Sequence, residues 1–557
     1  MIDPTQTTAT DLIKLCQDLK AATCDSKIGK AYCNVEINSD AQRSEQTMIK
    51  LETEEANTIA KMDLFFNPKS IAVIGASRHV NKAGNVIFSN FAENKRRGIF
   101  KGEIYPVNPH DDSVLGYKCY PSLKKVPDDI EAAVIVVPGK NVPEVMCDAA
   151  EKGVSVAVII SAGFSEVGNH ELEEQVKKIA REARIRLLGP NCLGVFDSYS
   201  GVDMLFLPET KVLSTGDVMV ATPRPMQGNI AMVSQSGAFG VAALDYLTGR
   251  QIGISKFVSF GNKSDVGEPE MLYYLGDDEK TRAILLYVES IDRGRMFMEV
   301  AKEVTKIKPI VALKSGKTKA GARAAASHTG AMSGTSAVYD AAFLQVGVVK
   351  SSNMSEFFNM GKALAFQPPA RGRNIAIVTD AGGPGVMAAD ECESRGINVK
   401  IFSDETITKF NELKERGMIP TFVQNKNPVD LTGSATSEMF EMAMKIVITD
   451  SEVDGIIVIG IHHLPAIQED FVDRIGRMAA ETSKPIVACD IGETEMAFYI
   501  RSRFEKLGIP AYPSPEDTAQ AMAALVSYGE YLQGNKHFGE YLERFLKIQG
   551  KKPVGTG

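Results

Sequence analysis

The 557-residue chain is poor in cysteine and lacks any cysteine motif. Its eight cysteines lie at 16, 24, 33, 119, 147, 192, 392 and 489, with no CxxC among them. That pattern excludes zinc ribbons and thioredoxin-type redox chemistry, and no metal ligand set is expected. Scattered cysteines predict a reducing compartment, the cytoplasm. No apolar run reaches the ~20 residues that span a bilayer. The start, Met1-Ile2-Asp3-Pro4, lacks the basic region and apolar core of a signal peptide. No membrane association is therefore expected. There is no dense Lys/Arg stripe, and a net charge of −8 argues against nucleic-acid binding. Histidine is also scarce, at seven residues.

What remains is an ordinary globular composition, 44% apolar and 24% charged. The chain is too long for one core, since domains average about 100–200 residues. Residues 1–61 are polar with one short amphipathic stretch and read as an extension, partly helical or disordered. From Phe66 the texture changes. Ser70–Gly75, Ile104–Val107, Ala132–Val137, Val154–Ile160 and Arg186–Gly189 are β-branched runs separated by helical stretches at Val142–Lys152 and His170–Arg184. Such alternation predicts a parallel sheet covered on both faces, one doubly wound domain over 62–197. The rhythm restarts with strands at Asn229–Ser234, Ile254–Ser259, Ala283–Val288 and Pro309–Leu313, a domain over 198–366. A Pro-rich linker at Gln367–Gly372 leads to a third, over 367–535, with strands at Asn374–Thr379, Gly455–Ile459 and Pro485–Cys489. The second and third look like copies of one plan: strand, glycine-rich turn, helix. Residues 536–557 read as a polar tail.

Four small-residue turns follow strands of the first domain. They are Gly75-Ala76-Ser77 with Lys82 beyond, Pro138-Gly139-Lys140, Ser161-Ala162-Gly163 and Gly189-Pro190-Asn191. Free N–H groups at a helix start make a phosphate cradle, and open α/β sheets bind ligands at this edge. A long ligand lying along it is expected. A nicotinamide dinucleotide is disfavoured: the spacing is not GxGxxG, and the second strand ends Tyr105-Pro106-Val107-Asn108-Pro109 without the acid that holds a ribose. Taken alone, the first turn is also compatible with a plain tight turn.

The second and third domains open with Ser234-Gln235-Ser236-Gly237 and Thr379-Asp380-Ala381-Gly382-Gly383. Both place glycine at a helix N-terminus, where an anion is favoured. His328 lies in Ala326-Ser327-His328-Thr329-Gly330, a small-residue segment with Gly330 and Gly334 close behind. An imidazole on such a loop is suited to act as nucleophile or proton carrier. Glu289 ends the strand Ala283–Val288. It is expected to accept Nδ1–H from His328, leaving Nε2 to attack phosphorus. His462-His463 read as a strand-end loop or as the lining of a pocket in the third domain, and Asn262 and Asp265 as residues facing the acyl group.

Together these segments resemble the α subunit of ADP-forming acyl-CoA synthetases, relatives of succinyl-CoA synthetase, over about 62–535. The resemblance implies an α/β fold: a Rossmann-like CoA-binding domain, then two flavodoxin-like doubly wound domains. It implies the reversible reaction of acyl-CoA, phosphate and ADP to carboxylate, CoA and ATP, through an acyl phosphate and a phosphohistidine on a swinging loop. Coenzyme A would lie on Gly75, Ala76, Ser77 and Lys82, with Asn108, Pro138, Ala162, Gly163 and Asn191 along the rest of it. Phosphate would meet Ser236, Gly237, Gly382 and Gly383. His328 and Glu289 would be catalytic. No stretch here is long enough for an ATP-grasp module. ADP/ATP with Mg is therefore expected on a separate β subunit, in an α₂β₂ assembly. The other partner is a small carboxylic acid or its CoA ester. The alternative is a CoA-binding regulatory protein without turnover.

Overall fold

Long β-branched runs bounded by glycine turns bury both faces, and that pattern produces three separate sheets. The computed structural model describes residues 61–323 and 336–550. The extension up to residue 60, the segment carrying His328 and the last seven residues lie outside the described residues. From Met62 onward the described residues form one compact unit.

The first sheet contains β1 (Ser70–Ile74), β2 (Glu103–Val107), β3 (Ala132–Ile135), β4 (Val156–Ile159) and β5 (Arg186–Leu188). Its strands run parallel in the order β2-β1-β3-β4-β5. Helices α1 (Ala83–Arg96), α2 (Val142–Lys152) and α3 (His170–Glu182) cover it.

The second sheet begins with β6 (Gly194–Asp197), an antiparallel edge strand. It continues with β7 (Gln227–Ser234), β8 (Ile254–Ser259), β9 (Ala283–Val288), β10 (Ile310–Lys314) and β11 (Val349–Lys350), in the order β11-β10-β9-β7-β8-β6. β6 precedes residue 198, so the last residues of the expected first domain pair with the second sheet.

The third sheet holds β12 (Ile375–Thr379), β13 (Gln424–Asn425), β14 (Val429–Asp430), β15 (Gly455–Ile459), β16 (Ile486–Cys489) and β17 (Ala511–Tyr512). Its order is β13-β14-β12-β15-β16-β17, with β13 antiparallel at the edge. Leaving aside the two antiparallel edge strands, each sheet has its parallel strands in the order 2-1-3-4-5. The second and third domains therefore share one plan, down to an antiparallel strand beside strand two. In this topology ligands bind where strands one and three diverge, at their carboxyl ends.

The second and third sheets share one apolar core. Between them α8 (Met354–Phe366) packs on α14 (Pro515–Gly534). Tyr528 donates its hydroxyl to Thr305 O (2.8 Å) and Tyr512 to Asn359 O (2.8 Å). The expected tail at 536–557 is corrected over half of its length. Phe538–Ile548 is a helix, α15, burying Phe538, Tyr541, Leu542, Phe545 and Leu546 against the same core. Its apolar residues recur at i, i+3, i+4 and i+7, so the polar residues between them form only its outer face. Among the described residues no helix is long and apolar enough to cross a membrane.

Candidate functional site

The turn after β1 is built by close backbone approach. Gly75 has φ +94°, and a Cβ on it would lie 2.3 Å from Val136 O. A Cβ on Gly84, in the first turn of α1, would lie 2.0 Å from Gly75 O. Only glycine lets helix, turn and neighbouring strand meet here. Asn85 Nδ2 donates to Ser77 O (2.7 Å) and Asn108 Nδ2 to Ala76 O (2.7 Å). These bonds fix the turn from both sides. Asp111, which the sequence reading missed, adds an ion pair to Arg78 (3.2 Å). No side chain caps α1 at Lys82, which is exposed. An uncapped helix start on a glycine turn fits a phosphate-bearing ligand such as CoA.

The remaining turns of this edge are stitched together. Ser161 Oγ donates to Val137 O (2.5 Å), Gly163 N–H to Glu166 Oε1 (2.5 Å), and Asn191 N–H to Ser161 O (2.9 Å). The loop after β8 closes on them. Asn262 N–H donates to Pro190 O (2.9 Å), while its side-chain amide donates to Glu166 (2.7 Å) and Glu173 (3.0 Å). Burial works to raise the Glu166 and Glu173 carboxyls, but hydrogen bonds to each outweigh it and hold both below the ordinary value. Asp265 pairs with Arg186 (2.8 Å) and accepts from Leu187 N–H. It ties the two domains together and does not line the cavity described next, whereas Asn262 does.

That cavity, about 690 Å³, joins the first domain to the second. Ser161, Ala162 and Asn191 line it from the first sheet; Ser236, Gly237 and Glu289 line it from the second. At its second-sheet end, α4 (Gly237–Gly249) starts behind Ser236, whose Oγ accepts Phe239 N–H (3.3 Å). Ser236 therefore caps the helix with its side chain, and the first N–H groups of α4 belong to cavity-lining residues. Gln235, a residue the sequence reading did not select, accepts the N–H groups of Glu289 (2.8 Å) and Ser290 (3.0 Å) on its Oε1. Because β7 and β9 are adjacent, the turn after one faces the tip of the other. Glu289 is 8% exposed. Lys314 stands near it: burial lowers that ammonium's pKa, and the Glu289 carboxylate opposes the shift. Leu193, Phe206, Leu207 and Val241 give the cavity an apolar wall. Lys263 closes its floor, paired with Glu268 (2.9 Å) and Asp292 (3.2 Å).

Gly382 and Gly383 open α9 (Gly382–Ser394), which has no side-chain cap. They are not among the residues lining this cavity. A Cβ on Gly382 would lie 2.6 Å from Asp430 Oδ2, so a carboxylate already stands at that helix end. Asp380 accepts Ile461 N–H (3.0 Å), the third-domain counterpart of the Gln235–Glu289 contact. Burial pushes the Asp380 carboxyl up to about 7. The His462 side chain is buried, with Nδ1 on Asp490 Oδ1 at 2.6 Å, and stacks on His463. It is thus more than a loop histidine.

Small-residue turns of one sheet edge, a helix start and a buried carboxylate meet in one cavity, an arrangement suited to an α/β enzyme with two anionic substrates. Family models match in the same order: a CoA binding domain over 69–197, a succinyl-CoA ligase like flavodoxin domain over 227–364 and a ligase-CoA domain over 375–534. The chain is 38% identical over 485 residues to the alpha subunit of ADP-forming acetate–CoA ligase II of Pyrococcus furiosus, covering 85% of this chain and 99% of that one. It is 37% identical over 489 residues to the ADP-forming acetate–CoA ligase of Methanocaldococcus jannaschii, covering 86% of this chain and 66% of that one. A chain of the dinucleotide-forming acetyl-coenzyme A synthetase 1 of Ca. Korarchaeum cryptofilum, solved with phosphate and ADP, superposes with a TM-score of 0.75 at 35% identity. That match covers 87% of this chain and 98% of that one. The chain belongs to the family of ADP-forming acetate–CoA ligase alpha subunits.

Proposed function

We propose that this chain is the alpha subunit of an ADP-forming acyl-CoA synthetase, converting acyl-CoA, phosphate and ADP to carboxylate, CoA and ATP. The observation that carries this reading is the single cavity shared by Ala162, Asn191, Ser236, Gly237 and Glu289. CoA lies along Gly75, Ala76, Ser77, Lys82, Asn108, Pro138, Ala162, Gly163 and Asn191. Its thioester end reaches the cavity. Phosphate sits at Ser236 and Gly237, where the helix end favours negative charge.

Attack of a phosphate oxygen on the thioester carbon breaks the C–S bond. CoA leaves as the thiol and an acyl phosphate remains. His328 Nε2 then attacks phosphorus, the O–P bond breaks, and the carboxylate departs. Glu289 accepts Nδ1–H and stabilises the cationic phosphoimidazole. Gly383, with open space where a Cβ would stand, offers a second anion position at the uncapped start of α9, while Asp430 occupies the Gly382 side. ADP, with Mg, binds an ATP-grasp β subunit in an α₂β₂ assembly, and the site is cytoplasmic. The P. furiosus relative, matched over 99% of its length, is named as an alpha subunit, which supports a partner subunit. Relatives named as ligases favour turnover over the regulatory alternative.

The test is acid-labile, base-stable label on the chain after incubation with acetyl-CoA and radiolabelled phosphate. His328→Asn is expected to abolish it and Glu289→Gln to reduce it about 10²–10⁴-fold. Full labelling of His328→Asn would refute the nucleophile. Tight CoA binding with no label in the wild-type chain would support the regulatory alternative instead.

A further inference from the structure

A second cavity, about 380 Å³, opens at the amino end of β9, where α15 covers the edge of the second sheet. Arg282, Lys308, Arg544 and Lys547 line it, against a single carboxylate, Glu279. Among the described residues none of these four cations is in an ion pair. The nearby Asp278 is committed elsewhere, to Lys256 (3.0 Å). Lys308 is 5% exposed, and its ammonium donates only to two main-chain carbonyls, Leu275 O (2.7 Å) and Asp278 O.

Four converging cations are costly, because like charges repel and a buried ammonium without a counter-anion loses its hydration. Burial pushes Lys308 down to about 8, the Asp278 carboxylate opposing and the Arg544 guanidinium adding to the shift. Burial also lowers Arg282. In a chain of net charge −8, this concentration is local. Two arginine forks with two lysines match a multiply charged phosphate group. Tyr541 and Phe545 supply an apolar wall beside them, and the volume lies within the range of small-molecule sites.

We propose that this cavity binds a small phosphorylated metabolite, with Arg282, Lys308, Arg544 and Lys547 holding its phosphate oxygens. The site is separate from the catalytic cavity. Arg282 precedes β9 and Glu289 follows it, seven residues and about 23 Å apart along an extended strand.

The chain has no tryptophan, so Ile548→Trp, at the exposed lip, gives a single-indole reporter in the full-length protein. Titration with inorganic pyrophosphate at constant ionic strength is expected to give a saturable fluorescence change. Arg544→Gln and Lys547→Gln, both at exposed positions, should each weaken the midpoint about tenfold or more, as loss of a charge-assisted hydrogen bond does. Saturating CoA should leave the titration unchanged. The absence of a saturable change, its persistence in both variants, competition by CoA or tighter binding of malonate than of pyrophosphate would each overturn the assignment.

Discussion

Gln235 Oε1 accepts the backbone N–H groups of Glu289 and Ser290, at 2.8 and 3.0 Å. One amide thereby clamps the carboxylate-bearing tip of β9 to the turn that opens α4. The clamp exists because strands one and three of this sheet are neighbours.

Gln235→Ala leaves two partly buried donors unpaired and is expected to cost about 1–3 kcal/mol for each. Thermal unfolding checks the stability. Phosphate labelling should fall with CoA affinity unchanged. Gln235→Glu keeps an acceptor and most of the stability, but its negative charge beside the phosphate turn should still depress labelling.

Gly84→Ala places a methyl 2.0 Å from Gly75 O. The turn after β1 must move, at about 1–3 kcal/mol. Equilibrium dialysis should show CoA binding weakened about tenfold or more, with no change at the Ser236–Gly237 end of the cavity. Lys82→Ala, at an exposed position, should keep full stability and lose only part of the CoA affinity.

Asp380 carries a carboxyl raised to about 7 by burial. The folded chain holds this proton more tightly than the unfolded chain does, so its contribution to stability is complete below pH 4. That contribution is lost as pH rises through about 7. Asp380→Asn keeps an acceptor for Ile461 N–H and cannot ionise. Melting temperatures measured from pH 5 to 8 should show the variant gaining on the wild type as pH rises. Parallel curves would contradict this.

Leu542, buried in α15, should cost about 2–5 kcal/mol when changed to Ala. A chain ended before Phe538 should lose more, because the shared core of the second and third sheets would be uncovered. Denaturant unfolding reads both. A true tail would give no effect.

The amino-acid sequence by itself determined the long buried strands, the turns after them and the glycines that crowd the first turn, but not the short strands β6, β11, β13, β14 and β17. Buried β-branched runs and small-residue turns are local patterns, legible within a short window. The period of α15 was equally local, yet its charged outer face masked the stripe of Phe538, Tyr541 and Phe545. Only the tertiary structure decided the order 2-1-3-4-5 in each sheet. It therefore decided that Gln235 would meet Glu289, that Asn262 would bridge to Glu166, and that His462 would find Asp490. Parallel strands pair through hydrogen bonds between residues dozens of positions apart, and no window of sequence records which pair is chosen. The same holds for Arg282 and Arg544, which converge from opposite parts of the chain because α15 closes over the start of β9.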